Sequence, residues 1–350
     1  MIMNPQKPLQ KIANGLGLRN HNQKTIVILG PTASGKSDLA IALARRYGGK
    51  IISADSRQVY RGMDVGSGKV TRDKTKMYHI NDDRQLCDTK KTSEKQVRQR
   101  KNTYLSEGIV HYLLDVASPK RTYNVTHFVR DAKKALADIR KRGKAPIICG
   151  GTGFWVQALI EGTVFPAVKP DTVLRKKLDK KSAAELFQML VKKDPARAKM
   201  IDQHNRVRLI RALEIIATLG AVPPLPKNYK LQTTNYTIIA LNPDRETLKR
   251  NITTRLKNRL KQGMAEEVER LHKEGVSWKR LESFGLEYGN IALFLQKKIA
   301  YETMCTNIIQ ESLHYVKRQM TWLRRWEKMG AKIHWITNQK QALGIIKKTG

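Results

Sequence analysis

The stretch TIVILGPTASGKSDLA (25–40) limits the possible folds of this chain more than any other stretch. An apolar run ends at Gly30, and a second glycine, Gly35, is followed by Lys36, Ser37 and a helical pattern. This is the complete G-x-x-x-x-G-K-[ST] motif, with a strand before it and a helix after it. Backbone N–H groups of such a loop surround a phosphate, and the lysine adds positive charge. The sequence therefore predicts a loop that binds a di- or triphosphate.

Strand-like and helix-like segments alternate through the first half of the chain. Strands are predicted at 25–30, 50–55, 109–116 and 145–151, helices at 36–47 and 126–142, and further strands at 236–242 and 332–337, the last at a sheet edge. Alternation of this kind is typical of a parallel sheet covered by helices. The predicted fold class is α/β, with a sheet like that of P-loop NTPases flanked by helices and an inserted all-helical domain.

Changes in composition divide the chain. Proline-containing segments at 161–170 and 220–229 bracket a stretch that has helical patterns and no strand pattern. The predicted parts are a disordered basic leader over 1–23, a sheet domain over 24–167, a charged insertion at about 71–108 that is partly helical near 93–106, an inserted helical domain over 168–232, and a continuation of the sheet domain over 233–340 with basic helices.

Charge is the strongest signal in the composition. The chain has 67 Lys and Arg against 30 Asp and Glu, a formal net charge of +37. Such an excess predicts a polyanionic partner such as nucleic acid, bound with strong salt dependence. The alternative is that a lysine-rich surface reflects the base composition of the genome.

The three cysteines, Cys87, Cys149 and Cys305, lie far apart and form no C-x-x-C pair. This spacing predicts neither a disulfide framework nor a zinc cluster, and it fits a reducing compartment. The apolar runs are shorter than the roughly 20 residues that span a bilayer. We therefore expect a cytoplasmic protein without a membrane partner, and a monomer suffices.

Two carboxylates follow apolar runs, where a nucleotide hydrolase or kinase places the residue that holds Mg²⁺. They are Asp55, after KIISA, and Asp115, after HYLL. Asp55 opens the segment DSRQVYRGMDVGSGK (55–69), whose polar side chains and glycines suit a loop that contacts a substrate. A helix cap or a metal ligand is the alternative role for Asp55.

Six blocks of sequence carry a family resemblance. They are GPTASGKS, SADSRQVYRGMDVGSGK, PKRTYNVTHFVRDA, CGGTGFWVQALIEG, RVRLIRALEI and VKRQMTWLRRW, and they span 25–326. In this order they resemble tRNA dimethylallyltransferases of the bacterial type. The resemblance implies transfer of a dimethylallyl group from dimethylallyl diphosphate to N6 of the adenosine on the 3′ side of the anticodon, position 37, in the anticodon stem-loop of a tRNA. Diphosphate is then the leaving group.

The resemblance also implies a role for the phosphate loop. Residues expected to bind the diphosphate are Gly30, Pro31, Thr32, Ala33, Ser34, Gly35, Lys36, Ser37 and Arg245. Ser37 is expected to bind the Mg²⁺ cofactor. Arg255 also falls on a family arginine near the diphosphate, with a solvated helix face as the alternative.

Catalytic and RNA-binding roles follow from the same resemblance. Asp55 is expected to be the general base that takes a proton from the adenine amine, and Thr152 to lie at the mouth of the reaction channel. Residues expected to contact tRNA are Asp55, Ser56, Arg57, Gln58, Thr152, Arg208, Lys317 and Arg318. Arg211 also matches a family position that contacts tRNA or supports the site, with a plain ion pair to Glu214 on one helix as the alternative. Trp322 and Trp326 are expected to serve packing.

The segment 282–294 departs from the family pattern, in which glycine and tyrosine precede a basic residue. Two other functions compete with tRNA prenylation. One is an isopentenyltransferase acting on free adenylate, which would need neither the helical domain nor such a basic surface. The other is a P-loop nucleotide kinase or hydrolase that binds RNA, which would turn over nucleotide without dimethylallyl diphosphate.

Overall fold

The structure is a computed structural model that describes residues 24–73, 104–223 and 234–349. The leader predicted over 1–23 lies outside the described residues, as do most of the charged insertion and the end of the second proline-rich segment. None of the described helices combines the length and the apolar composition needed to cross a bilayer.

A seven-stranded sheet, in the order β3-β4-β2-β5-β1-β6-β7, forms the centre of the described part of the chain. The strands are β1 (Thr25–Leu29), β2 (Lys50–Ser53), β3 (Tyr104–Ser106), β4 (Ile109–Tyr112), β5 (Pro146–Cys149), β6 (Tyr236–Leu241) and β7 (Ile333–Ile336). Every neighbouring pair is parallel except β3 and β4. The predicted α/β fold class is confirmed, and β7 lies at the sheet edge as expected.

Thirteen helices are present in the described residues. They are α1 (Lys36–Tyr47), α2 (Val125–Lys141), α3 (Gly153–Ile160), α4 (Thr172–Leu178), α5 (Ala183–Lys193), α6 (Pro195–Ala198), α7 (Arg206–Leu219), α8 (Arg245–Lys261), α9 (Met264–Lys273), α10 (Trp278–Ser283), α11 (Leu286–Leu295), α12 (Tyr301–Lys328) and α13 (Gln339–Thr349).

The sheet is covered on both faces, which explains why its central strands read as continuous apolar runs. Ile26 and Ile28 of β1 pack with Leu39 and Leu43 of α1 in one apolar cluster. Residues of opposite parity, such as Val27, are fully buried too. Because β1 lies between β5 and β6, the loop that follows β1 lies near the middle of the carboxyl edge of the sheet, where α/β proteins bind ligands.

The predicted helix near 93–106 is wrong for the residues that the structure describes. Tyr104–Ser106 forms β3, which pairs antiparallel with β4. Between the strands, Glu107 and Gly108 have φ angles of 52° and 74°. Two successive positive φ angles are typical of a two-residue hairpin turn, and residues 104–106 are extended because the turn brings them into pairing with β4.

A second compact unit covers Thr163–Lys230, and the bounds predicted for the inserted helical domain are 168–232. Its described residues contain the helices α4 to α7 and no strand. Leu186 and Leu209 are fully buried in its own apolar cluster. The Glu214 carboxylate is buried and accepts hydrogen bonds from Arg175 and Arg211, so the expected Arg211–Glu214 ion pair is present, with N and O 3.2 Å apart.

Candidate active site

The phosphate loop, residues 30–37, connects β1 to α1. Gly30 has φ of +144°, and a Cβ built there would lie 2.9 Å from the Leu241 carbonyl oxygen. Only glycine fits so close to β6. Ala33 and Gly35 also have positive φ angles, 60° and 83°. The loop is thus a tight curl that leads into the positively polarised start of a 12-residue helix.

Two distant helices hold this loop in shape. The backbone N–H of Thr32 donates to Oε1 of Gln319 on α12 at 2.9 Å. From α8, Arg255 donates to the Thr32 hydroxyl at 3.0 Å and Asn251 donates to the Ala33 carbonyl at 3.1 Å. These three side chains belong to the site, although sequence reasoning had not assigned a role to Asn251 or Gln319.

The two arginines expected near the diphosphate differ in their exposure to solvent. Arg245 is exposed in the first turn of α8, and its contact with a diphosphate stays a prediction. Arg255 is half-buried against Thr32, so the alternative of a solvated helix face is wrong. Burial, and next the nearby Arg259 guanidinium, lower the pKa of Arg255 to about 10.

Two groups of the loop are set for an anion. Desolvation lowers the pKa of Lys36 to about 8, with Arg255 adding to the effect. The hydroxyl of Ser34 is buried and has no hydrogen-bond partner among the described residues. Unpartnered buried polar groups are rare in proteins and need a reason. Binding of the predicted phosphate group by this hydroxyl stays a prediction.

Asp55 and Thr152 meet at the carboxyl ends of the neighbouring strands β2 and β5. The Thr152 N–H donates to the Ala54 carbonyl at 3.2 Å, and the Ser56 N–H donates to the Thr152 hydroxyl at 3.1 Å. Oδ1 of Asp55 accepts from the Arg57 N–H at 2.8 Å. Within the described residues, Oδ2 of Asp55 has no hydrogen bond. The predicted base and the predicted channel threonine therefore lie side by side.

A cavity of about 230 Å³ extends from Gly30 past Thr152 to Phe154, Arg318 and Trp322. A glycine-rich turn after β5 keeps it open. A Cβ at Gly153 would lie 2.3 Å from the Trp322 ring, so any larger residue would push that ring away. The cavity is mostly apolar, as a pocket for a short hydrocarbon chain requires.

One face of α12 supplies the far wall of this cavity. Tyr315, Gln319 and Trp322 line it, and burial raises the pKa of Tyr315. Trp326 is buried and packs against Trp322, with ring centroids 5.1 Å apart. Packing is thus the role of Trp326, while Trp322 also borders the cavity. The i, i+4 spacing of Tyr315 and Gln319 was the signal that could have identified this face.

Basic residues expected to contact tRNA lie at the surface. Lys317 and Arg318 are exposed on α12, and Arg318 borders the cavity. Arg208 is exposed in the first turn of α7, in the separate helical unit.

The segment 55–69 uses its polar side chains within the protein. Gln58 accepts from the Ser53 hydroxyl at 3.0 Å and donates to the Gly68 carbonyl at 3.1 Å. Arg57 donates through Nε to the Phe284 carbonyl at 3.0 Å. The side chains of these two residues, expected to contact tRNA, have protein partners in this structure, so their contact with RNA stays a prediction.

A buried carboxylate fixes the second half of this segment. Glu267 of α9 accepts from the backbone N–H groups of Asp64, Val65 and Gly66 at 2.8 to 3.0 Å. It also accepts from the Tyr288 hydroxyl at 2.7 Å. Sequence patterns do not show this arrangement, because its members come from separate parts of the chain.

The two competing carboxylates are distinguished by their partners. Asp115 is bound to the buried ammonium of Lys69, which also contacts Asp64 at 2.7 Å. Leu113 and Asp115 both have positive φ angles, so the chain turns aside after β4. Asp55 differs in that it forms no ion pair within the described residues and lies close enough to Lys36 of the phosphate loop to raise the pKa of that lysine.

Comparisons with known proteins agree with the sequence blocks. A family model described as IPP transferase matches residues 90–326, and one described as isopentenyl transferase matches residues 23–99. The first match alone covers more than half of the chain. This chain belongs to the IPP transferase family.

Relatives extend over nearly the whole chain. A tRNA dimethylallyltransferase 2 from Treponema denticola is 38% identical over 319 residues, 90% of this chain and 96% of that protein. Another, from Shewanella sediminis, is 37% identical over 315 residues, 90% of this chain and 93% of its own. The structure of the tRNA isopentenylpyrophosphate transferase from Bacillus halodurans has a TM-score of 0.60 at 27% identity, covering 93% of this chain and 98% of its own. The IPP transferase resemblance is confirmed.

Proposed function

We propose that this protein transfers a dimethylallyl group from dimethylallyl diphosphate to N6 of the adenosine on the 3′ side of the anticodon in tRNA and releases diphosphate. The observation that carries the proposal is the cavity that joins the phosphate loop to Thr152. Gly30, the first residue of the phosphate loop, lines one end, Phe154 and Trp322 give it an apolar lining, and Thr152 adds a polar group. The names of its relatives, tRNA dimethylallyltransferases, support the same reaction.

The phosphate loop binds the diphosphate that leaves. Lys36 and Arg255 stabilise the negative charge that grows on the leaving oxygen as the allylic C–O bond breaks. The Ser34 hydroxyl, which lacks a partner among the described residues, donates to the same group.

Magnesium fits this site as an ion held mainly by the diphosphate. The described residues contain no cluster of three or more His, Cys, Asp or Glu that could hold a metal. Mg²⁺ is commonly bound through substrate phosphates and one or two protein oxygens. The Ser37 hydroxyl, in the first turn of α1, is the protein ligand expected here. When bound, the ion supplies further neutralisation of the diphosphate charge.

Asp55 accepts the proton. As the adenine nitrogen forms a bond to the allylic carbon, the C–O bond breaks, its electron pair leaves with diphosphate, and the proton on nitrogen passes to Asp55. The Arg57 N–H orients the carboxylate through Oδ1. Thr152, whose hydroxyl is fixed by the Ser56 N–H, positions the adenine ring of the substrate at the cavity.

The tRNA is bound mainly through its phosphates. The net charge of +37 and the exposed Lys317, Arg318 and Arg208 favour backbone contacts. The adenosine leaves its stack to reach the cavity, at a cost of a few kcal/mol. The cytoplasmic location expected from the sequence is part of this proposal.

The competing functions have less support. Of the two strand-end carboxylates that a kinase or hydrolase could use for Mg²⁺, Asp115 is bound to Lys69 and Asp55 is assigned here as the general base. A transferase acting on free adenylate has no use for the basic helical unit at Thr163–Lys230.

The test supplies the protein with Mg²⁺, dimethylallyl diphosphate and an anticodon stem-loop that carries adenosine after the third anticodon base. We expect mass spectrometry to find one prenyl group on the RNA. A stem-loop with guanosine at that position is the control and stays unmodified. Prenylated AMP with untouched RNA, or ATP hydrolysis without prenylation, would overturn the proposal.

A further inference from the structure

Two buried charged side chains and the half-buried Arg255 form a cluster beside the phosphate loop. Arg259 of α8 and Glu287 of α11 are 7% and 8% exposed, and Nη1 of Arg259 lies 3.2 Å from Oε1 of Glu287. The same carboxylate oxygen lies 4.0 Å from Nη2 of Arg255. Arg255 in turn donates to the Thr32 hydroxyl of the loop. The cluster therefore reaches the loop through one residue, Arg255.

Within this cluster the two arginines share one carboxylate in contact, while Asp55 and Glu267 act on them from farther away. One carboxylate faces two guanidinium groups, and a buried charge without a partner is costly. Arg259 holds the nearer position to Glu287, so Arg255 has only the longer contact. An anion at the phosphate loop would add negative charge next to Arg255, beside that of Glu287 and Asp55.

Arg259 is fixed from a second side. Its Nη1 also donates to the Gly66 carbonyl at 3.2 Å. A Cβ at Gly68 would lie 1.5 Å from Nη2 of Arg259, so the guanidinium occupies space that only glycine leaves free. Arg259 therefore cannot move toward solvent without displacing the segment 63–69.

The cluster is too closed to bind a substrate group itself. The cleft between Thr32, Arg255, Arg259 and Glu287 has a volume of about 10 Å³, room for one water molecule at most. Glu287 and Arg259 therefore cannot contact a ligand directly, and Arg255 is the member of the cluster that can.

We infer that Glu287 and Arg259 are positioning residues, which together hold the Arg255 guanidinium at the phosphate loop where it binds the diphosphate. The inference rests on the proposed function for the identity of the anion. It gives a role to the segment 282–294, which departs from the family pattern and supplies the carboxylate.

Charge alone predicts the opposite result when Glu287 is neutralised. Glu287→Gln makes the site more positive, so simple attraction would tighten anion binding. A positioning role requires weaker binding, because Arg255 loses the carboxylate that holds it. We expect the Kd for inorganic diphosphate with Mg²⁺, measured by calorimetry, to rise about 10-fold, the loss typical of one charge-assisted hydrogen bond.

A double-variant cycle tests whether the two residues act as a pair. Arg259→Met should also raise the Kd, and the double variant Glu287→Gln/Arg259→Met should bind no more weakly than Glu287→Gln alone. In prenylation assays the KM for dimethylallyl diphosphate should rise by the same factor, with the KM for RNA unchanged. Additive losses in the double variant would overturn the pairing.

Controls separate positioning from folding. Glu274→Gln, an exposed carboxylate paired with Arg270, should leave diphosphate binding unchanged. If Glu287→Gln does not fold, Arg259→Lys, which keeps the charge but loses the planar fork, tests the pair and should also weaken binding. Tighter or unchanged diphosphate binding in a folded variant would overturn the inference. Because inorganic diphosphate is the probe, the result holds whether or not the protein prenylates tRNA.

Discussion

Two glycine-containing loops at the carboxyl edge of the sheet differ in how their polar groups are used. In the phosphate loop, 30–37, the Ser34 hydroxyl has no partner among the described residues and Lys36 is desolvated. In the segment 55–69, Gln58 and Lys69 are bound within the protein, and the backbone N–H groups are taken by Glu267. The first loop keeps a buried hydroxyl without a partner among the described residues, whereas most polar groups described above for the second have one.

Composition does not distinguish such loops, but hydrogen bonding does. A loop whose polar groups are all paired is a structural element, and its residues contribute to stability. A loop with unpaired buried polar groups can form hydrogen bonds to a ligand through those groups. Asp55 lies at the boundary, since Oδ1 is engaged by the segment and Oδ2 is unengaged within the described residues.

The largest effect is expected at this boundary residue. Asp55→Asn keeps the Oδ1 acceptor for the Arg57 N–H but cannot take a proton. We expect kcat for prenylation to fall about 10³-fold, within the range for loss of a general base. Single-turnover rates and RNA binding, measured separately, check this.

Asp115→Asn is the matched control for the other strand-end carboxylate. It should lower stability through Lys69 and leave kcat unchanged. Equal losses of RNA binding and rate in Asp55→Asn would show that Asp55 belongs to the structural segment instead.

Glu267→Gln should have the next largest effect, on stability. An amide cannot accept at both ends from three N–H groups and a hydroxyl, so buried donors lose partners. We expect the free energy of unfolding to fall by about 3 kcal/mol, measured in denaturant. Glu266→Gln, an exposed neighbour, should change it little. If Glu267→Gln had normal stability but weaker diphosphate binding, the segment 55–69 would serve ligand binding, as the phosphate loop does, and not stability.

Gln58→Met separates a structural role from RNA contact. Its amide bonds to Ser53 and Gly68 are lost, so we expect the free energy of unfolding to fall by about 2 kcal/mol. The KM for RNA should stay the same. Unchanged thermal stability with a raised KM for RNA would make Gln58 a substrate-contacting residue, as the family resemblance implies.

The smallest effect concerns pH. Because desolvation lowers the pKa of Lys36 to about 8, the residue loses its charge as the pH rises through that value. The protonated form binds the anion, so affinity for inorganic diphosphate should fall about 10-fold between pH 7 and 9. In the Lys36→Ala variant only the titration of diphosphate itself affects binding. The pH dependence of this variant is therefore subtracted from that of the unmodified protein. Identical pH profiles for both proteins would refute a desolvated Lys36.

Local patterns predicted much of this fold. The strand before Gly30 and the helix after Gly35 follow from short-range periodicity and backbone freedom, and both are present. Partners distant in sequence were not predictable. The bond of Thr32 to Gln319 and the N–H groups bound by Glu267 depend on how separate helices pack. Asp55 and Asp115 looked equivalent because each follows an apolar run, and only their partners distinguish them.

The bond between Thr32 and Gln319 joins residues 287 positions apart. During synthesis the phosphate-loop motif leaves the ribosome early, whereas α8 and α12, which hold it in shape, follow much later. A nascent chain that ends before α12 therefore contains the whole motif without its supports. The loop therefore acquires its full set of holding contacts only after α12 has been made.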